Sequence, residues 1–249
     1  VPNVDSDSSV NVDTGVDLLP YEPEPIEMES AQVCQDCHPR QYEEWRTSMH
    51  AYAARSPVFD AMALKAFRDS SGEVGTFCTG CHSIQGTLEG EPGDTQAAER
   101  SDFSREGITC DVCHTAVDHA VPIGNTSLFF DTEIPKQGPY DSTSQDGHEG
   151  EYSDFVTSPE LCGSCHDVFN FPGLRIEEAY SEYVESPAAA EGIRCQDCHM
   201  GPEPGVAVER EWGPSATVLG QTYPDREISS HLFVGPDYSL LDDFPYEDD

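Results

Sequence analysis

Every cysteine in the chain belongs to one repeated pentapeptide, in which two cysteines stand three positions apart and a histidine follows the second. The five copies are Cys34-Gln35-Asp36-Cys37-His38, Cys78-Thr79-Gly80-Cys81-His82, Cys110-Asp111-Val112-Cys113-His114, Cys162-Gly163-Ser164-Cys165-His166 and Cys195-Gln196-Asp197-Cys198-His199. The spacing suits attachment of c-type haem: the thiols add to two porphyrin vinyl groups as thioethers, and the adjoining imidazole binds the iron. A single copy could equally be a redox dithiol or half of a zinc site. Five copies with no cysteine left over weigh strongly against zinc and against a disulfide framework, because zinc ligands are spaced more loosely and a disulfide framework places no histidine after every second cysteine. The sequence therefore implies five haem c groups, with His38, His82, His114, His166 and His199 as proximal ligands.

Nine histidines are present, so four remain outside the motifs: His50, His119, His148 and His231. A low-potential electron-transfer haem takes a second imidazole on its other face, which makes these four the expected distal ligands. Five irons then share four imidazoles, and one iron must bind methionine, a less usual group, water or nothing. The thioethers available are Met28, Met49, Met62 and Met200. Exchange of histidines between identical chains leaves this count unchanged.

The elements that must position these groups read as short helices joined by long loops. Tyr42, Trp45, Met49 and Tyr52 fall near helical spacing, which predicts a helix over 40–54 carrying His50. Ser56-Pro57 supplies an N-cap and a first-turn proline for a helix to about 67. A third helix is expected over 174–185, ended by Pro187. The intervals 83–107, 115–147 and 200–230 are rich in Gly, Pro, Ser and Asp and read as loops, with little sheet. The expected fold is mainly α with extensive loops, one compact domain over 31–240 wrapped around five haems. An extended acidic arm (1–30) precedes it and an acidic tail (241–249) follows. The arm is polar and free of cysteine and histidine; Ser9 to Leu19 could add as a strand to a neighbouring chain.

An internal repeat runs through the motifs. Phe77-Cys78 matches Leu161-Cys162, and Glu106-Gly107-Ile108-Thr109-Cys110 matches Glu191-Gly192-Ile193-Arg194-Cys195, which implies two similar haem-pair modules. Glu44-Trp45-Arg46-Thr47-Ser48-Met49-His50-Ala51 also lines up with Glu182-Tyr183-Val184-Glu185-Ser186-Pro187-Ala188-Ala189. The second copy carries Ala188 where the first has His50.

Trp45-Arg46-Thr47-Ser48-Met49-His50 after the first motif, and His119 soon after the third, resemble elements of the multihaem cytochromes related to the nitrifiers' tetrahaem cytochrome and hydroxylamine oxidoreductase. Leu161 to Val168, Gly192 to Met200 and Ser230-His231-Leu232-Phe233-Val234-Gly235 are similar to that group's later haem sites and its terminal ligand element. The resemblance covers about 31–240. It implies a multihaem electron carrier and supports His50, His119 and His231 as iron ligands.

Composition narrows the setting. Asp and Glu total 48 against 12 Lys and Arg, a formal net charge of -36 in 249 residues, which disfavours nucleic acid and anionic membranes as partners. No apolar run is long enough to span a bilayer. Such an acidic, lysine-poor chain resembles proteins of salt-loving organisms, halophilic archaea above all. Haem attachment to cysteine takes place outside the cytoplasm, and the chain begins at Val1 as a processed protein would; an exported location, extracellular or at the cell surface, is expected. The expected function is electron transfer with other redox proteins, as a subunit of a conducting filament assembled through the arm. Alternatives are an exported soluble shuttle and a reductase of a nitrogen or sulfur oxyanion at the under-coordinated haem.

Overall fold

The computed structural model describes residues 26–143, 147–171, 173–203, 205–233 and 239–241. The arm up to residue 25, with its expected strand over Ser9 to Leu19, and the tail beyond 241 lie outside the described residues. Helices come in chain order as α1 (Ala31–Gln35), α2 (Pro39–Arg46), α3 (Met49–Tyr52), α4 (Pro57–Asp69), α5 (Thr79–His82), α6 (Ile84–Leu88), α7 (Cys110–His114), α8 (Pro159–Gly163), α9 (Ala179–Val184), α10 (Pro187–Ala190) and α11 (Cys195–His199). Five of them overlap the cysteine motifs: α7 and α11 each span a whole motif, α5 all but its first cysteine, and α1 and α8 end on the first two residues of theirs.

Capping explains the helix boundaries. Ser56 accepts from the Phe59 amide and Pro57 fills the first turn, so α4 forms as expected and runs to Asp69. The helix expected over 40–54 is instead two helices. Ser48 leaves α2 in an extended conformation and caps α3 by accepting from the Ala51 amide, so a turn separates α2 from the short helix that carries His50. The helix expected over 174–185 begins only at Ala179, because Arg175–Glu177 pairs as a strand with Val168–Phe169.

The intervals read as loops contain more structure than expected. Residues 83–107 hold α6 and a 3-10 turn at Ser104–Glu106. Among the described residues ten strands of two to four residues form five two-stranded pairs: β1 (Ala116–His119) with β2 (Leu128–Phe130), β3 (Lys136–Gly138) with β4 (Gly150–Tyr152), β5 (Val168–Phe169) with β6 (Arg175–Glu177), β7 (Glu211–Pro214) with β10 (Asp225–Ile228), and β8 (Thr217–Val218) with β9 (Gln221–Thr222). Strand pairing depends on distant partners and leaves no periodic signal in segments this short.

The sequence repeat is also a repeat of geometry. Ser186 caps α10 through the Ala189 amide as Ser48 caps α3 through Ala51. The Ile108 amide donates to the His50 carbonyl at 3.0 Å and the Ile193 amide to the Ala188 carbonyl at 2.9 Å, and the preceding glycines, Gly107 and Gly192, have φ of 73° and 74°. Ala188 thus occupies the backbone position of His50.

Apolar core is scarce. Ala31, Trp45, Ala51 and Tyr52 make one small cluster, and the largest fully buried side chains are polar, led by Gln85, Thr79 and Thr109. Polar groups this deep need internal partners: Gln85 donates to the Phe103 carbonyl, although its side-chain oxygen has no partner among the described residues, and Thr79 bonds the Thr76 carbonyl and Thr87. The interior is organised around a cavity instead.

Candidate haem sites

A single continuous cavity of about 2560 Å³ runs through the molecule, well above the range of about 300–1,000 Å³ usual for a small-molecule site. All ten cysteines and all five motif histidines line it, together with His50, His148 and His231; His119 does not. The wall is otherwise largely apolar, with Phe59, Val112, Val156, Leu161, Ile176 and Phe233 among it. Among the described residues no three His, Cys, Asp or Glu side chains are grouped to hold a bare metal ion. The thiols are instead spread along a wall, as attachment to flat apolar macrocycles requires.

The imidazoles are held for coordination. Nδ1 of His38 bonds the Ser215 carbonyl at 2.9 Å, that of His114 the Gln137 carbonyl at 2.6 Å and that of His231 the Ser229 carbonyl at 3.0 Å. His119 and His148 bond the carbonyls of Ala120 and Glu149 in the same way. A carbonyl accepts, so Nδ1 carries the proton and Nε2 keeps its lone pair for a metal. Burial also keeps the rings neutral: desolvation, helped by neighbouring imidazoles, pushes His50 down to about 3 and His231 down to about 4. His38, His82 and His114 are lowered for the same leading reason.

Three motif histidines face a second imidazole. Ring centroids are 6.0 Å apart for His38 and His148, 6.3 Å for His50 and His166, and 6.4 Å for His114 and His231. Two imidazoles on opposite faces of one iron, each bonded at about 2 Å with its ring centre about 1 Å further on, would have centroids about 6 Å apart. The residues therefore fit haem c with two axial imidazoles at three motifs. His82 differs: the ring stacked on it is Phe59 of α4, at 4.1 Å and 9°. His119 packs 5.7 Å from Phe155. The carbonyls that follow Phe155 accept hydrogen bonds from Gln196 and Arg194 at the fifth motif.

The motifs adjoin in a branched order. The thiols of Cys34 and Cys110, of Cys81 and Cys165, and of Cys162 and Cys195 lie close enough to perturb one another's ionisation, and Cys113 lies close enough to Cys162 and Cys165 to raise both thiols. The first motif thus adjoins the third, the third the fourth, and the fourth meets both the second and the fifth. Of the thioethers, Met49, Met62 and Met200 line the cavity, whereas Met28 lines a separate polar one beside Lys136 and His148.

The sequence reading missed the residues that hold the imidazoles. Ser215 and Gln137 act through backbone carbonyls, which carry no side-chain signature. Phe59 was legible only as a helix residue. Gly163, between the cysteines of the fourth motif, admits the Tyr180 ring, which a Cβ there would meet at 2.4 Å.

The family model for cytochrome c554 and c-prime matches residues 33–115. Among solved structures, a penta-heme cytochrome c552 from Thermochromatium tepidum has a similar fold, with 18% identity and a TM-score of 0.54 over 85% of this chain and 58% of that one. The chain therefore spans less than two thirds of that protein's length. Among curated proteins nothing matches. The family match and the shared fold, joined to the arrangement of thiols and imidazoles, support a multihaem c-type cytochrome.

Proposed function

We propose that the chain conducts electrons through five covalently bound c-type haems, one at each Cys-X-X-Cys-His motif, with the domain over 31–240 wrapped around them. The observation that carries this reading is the single cavity onto which all ten cysteines and all five motif histidines open. Haem c supplies a one-electron ferric/ferrous couple whose potential follows axial ligand, burial and nearby charge. The chain's own residues fix the imidazole tautomers through backbone carbonyls, exclude water with an apolar wall and hold neighbouring motifs in contact.

In this reading His148, His231 and His50 are the distal ligands opposite His38, His114 and His166. We pair His119 with the fifth motif, because its ring packs on Phe155 and the carbonyls just after Phe155 accept from Gln196 and Arg194. His82 then lacks a second imidazole, and Met62, on the helix whose Phe59 covers His82, is the thioether we assign to it. Intact-mass measurement of the purified chain tests the whole reading: five haem additions with no free thiol are expected, and fewer would remove a motif.

An exported, extracellular setting in a salt-loving organism, exchange with other redox proteins and assembly into a conducting filament through the arm belong to the same proposal. They rest on the acidic composition and the polar arm. Among the described residues no helix is long and apolar enough to cross a membrane. Electron microscopy of the secreted protein in molar salt tests the filament; uniform single particles would leave the shuttle. The different setting of His82 favours, as a second reading, reduction of a nitrogen or sulfur oxyanion there. Turnover of such a substrate together with a high-spin signal would establish it.

A further inference from the structure

Among the described residues Arg226 is a cation without a carboxylate partner, in a chain that carries 48 acidic residues against 12 basic ones. Four basic side chains line the large cavity, namely Lys136, Arg194, Arg210 and Arg226. Lys136 is paired with Asp111 at 2.7 Å and Glu29 at 3.2 Å, and Arg194 and Arg210 each reach Asp197 at 3.1 Å. Among the described residues no carboxylate oxygen lies within 4.0 Å of the Arg226 guanidinium. In so acidic a chain this pairing would be easy to supply, so its lack leaves a positive charge facing the cavity for another anion.

The guanidinium is fixed rather than loose. Its central carbon lies 5.2 Å from the centroid of the Tyr140 ring, a cation–π contact, and Tyr140 is held in turn by its hydroxyl donating to the Glu227 carbonyl. The two segments that flank Arg226 are those that hold the imidazoles of the first motif. On one side, Arg226 stands opposite Gly213 in the β7–β10 pair; two residues on, the Ser215 carbonyl binds His38, and the Thr217 amide donates to the Cys37 carbonyl at 2.7 Å. On the other side, Tyr140 lies between β3 and Ser142, which bridges to Gly150 two residues after His148.

The geometry points to Arg226 as the binding residue for a propionate of the haem attached at Cys34 and Cys37, with Tyr140 as its platform. This rests on the reading of the first motif as a haem site. A planar fork of N–H donors matches a carboxylate bidentately, and an arginine already stacked on an aromatic ring loses little freedom on binding one. The charge next to that haem also favours its ferrous form.

The test is a spectroelectrochemical titration of the intact holoprotein carrying Arg226→Gln, with Arg226→Lys and Tyr140→Leu alongside. The expected result is a fall of one midpoint potential in R226Q, equivalent to a roughly tenfold lower ferrous-to-ferric ratio, about 59 mV for a one-electron couple. R226K should recover most of the shift and Y140L should show part of it. The midpoint that moves should be the one altered by His148→Ala. Five unchanged midpoints in R226Q, with five haems present by intact mass, would overturn the inference, as would movement of a different midpoint. Loss of mass at Cys34 and Cys37 in the unmodified protein would instead refute the haem reading itself.

Discussion

His50 shows how much of the proposed haem ligation is set outside the imidazole ring itself. Its carbonyl accepts from Ile108, its ring lies 4.2 Å from Phe233, and His166 stands 6.3 Å across the cavity. Replacing His50 with alanine is expected to turn one low-spin haem high-spin while all five stay attached, because thioether formation involves Cys162 and Cys165 and not the distal ring. Low-temperature electron paramagnetic resonance with intact mass reads both; an unchanged spectrum would make His50 a bystander. Acid should act on the same rings. Burial lowers His50 and His231 from the ordinary 6.5 to about 3 and about 4, so below pH 6.5 the folded chain binds fewer protons than the unfolded one. Stability from these groups is then fully present above pH 6.5 and drains away as the pH falls toward those values. Urea midpoints should drop between pH 7 and pH 5, and equal midpoints would contradict the burial of these rings.

Between the two repeated elements, a pair of glycines offers a controlled comparison. Gly107 and Gly192 share a positive φ, which glycine adopts freely and a residue with a Cβ adopts only under strain. They differ in surroundings. A Cβ at Gly107 would lie 2.2 Å from the His50 carbonyl oxygen, whereas one at Gly192 would meet nothing within 4 Å. Gly192→Ala should therefore incur the backbone cost alone. Gly107→Ala should lose more stability and also perturb the haem served by His50, since a backbone oxygen cannot move without carrying its helix. Thermal melts of the two variants check the order, and equal losses would mean that α3 is not braced against residue 107 as described.

For the molecule as a whole, net charge and scarce core act together. A formal charge of -36 repels itself, and many of the ion pairs present are exposed neighbours along one helix or turn, such as Lys65 with Asp69, worth little each. Screening should raise the melting temperature steadily from low to molar salt, and indifference to salt would refute the halophilic reading. With one small apolar cluster and a cavity of about 2560 Å³ at the centre, the chain depends on what fills that space. Protein made with its motif cysteines replaced by serine, and so without haem, is expected to melt without a cooperative transition by calorimetry. A sharp transition would show a core sufficient by itself.

The number and position of the Cys-X-X-Cys-His motifs were legible in the sequence because their thiols and imidazole are consecutive in the chain. Helix α4 was legible for a similar reason, since Ser56, Pro57 and the residues they cap are local. The repeat was visible too, because Gly107 and Gly192 mark a backbone conformation few other residues adopt. Tertiary structure decided what joins distant segments: which histidine faces which, the carbonyls of Ser215 and Gln137 that fix His38 and His114, and the two-residue and three-residue strands inside stretches that read as loops. It also split the helix over 40–54 at Ser48, where a cap competes with helical spacing and places His50 across from His166. Partners so far apart in sequence leave no pattern in it; only the fold, closing around the cavity, brings them within bonding distance.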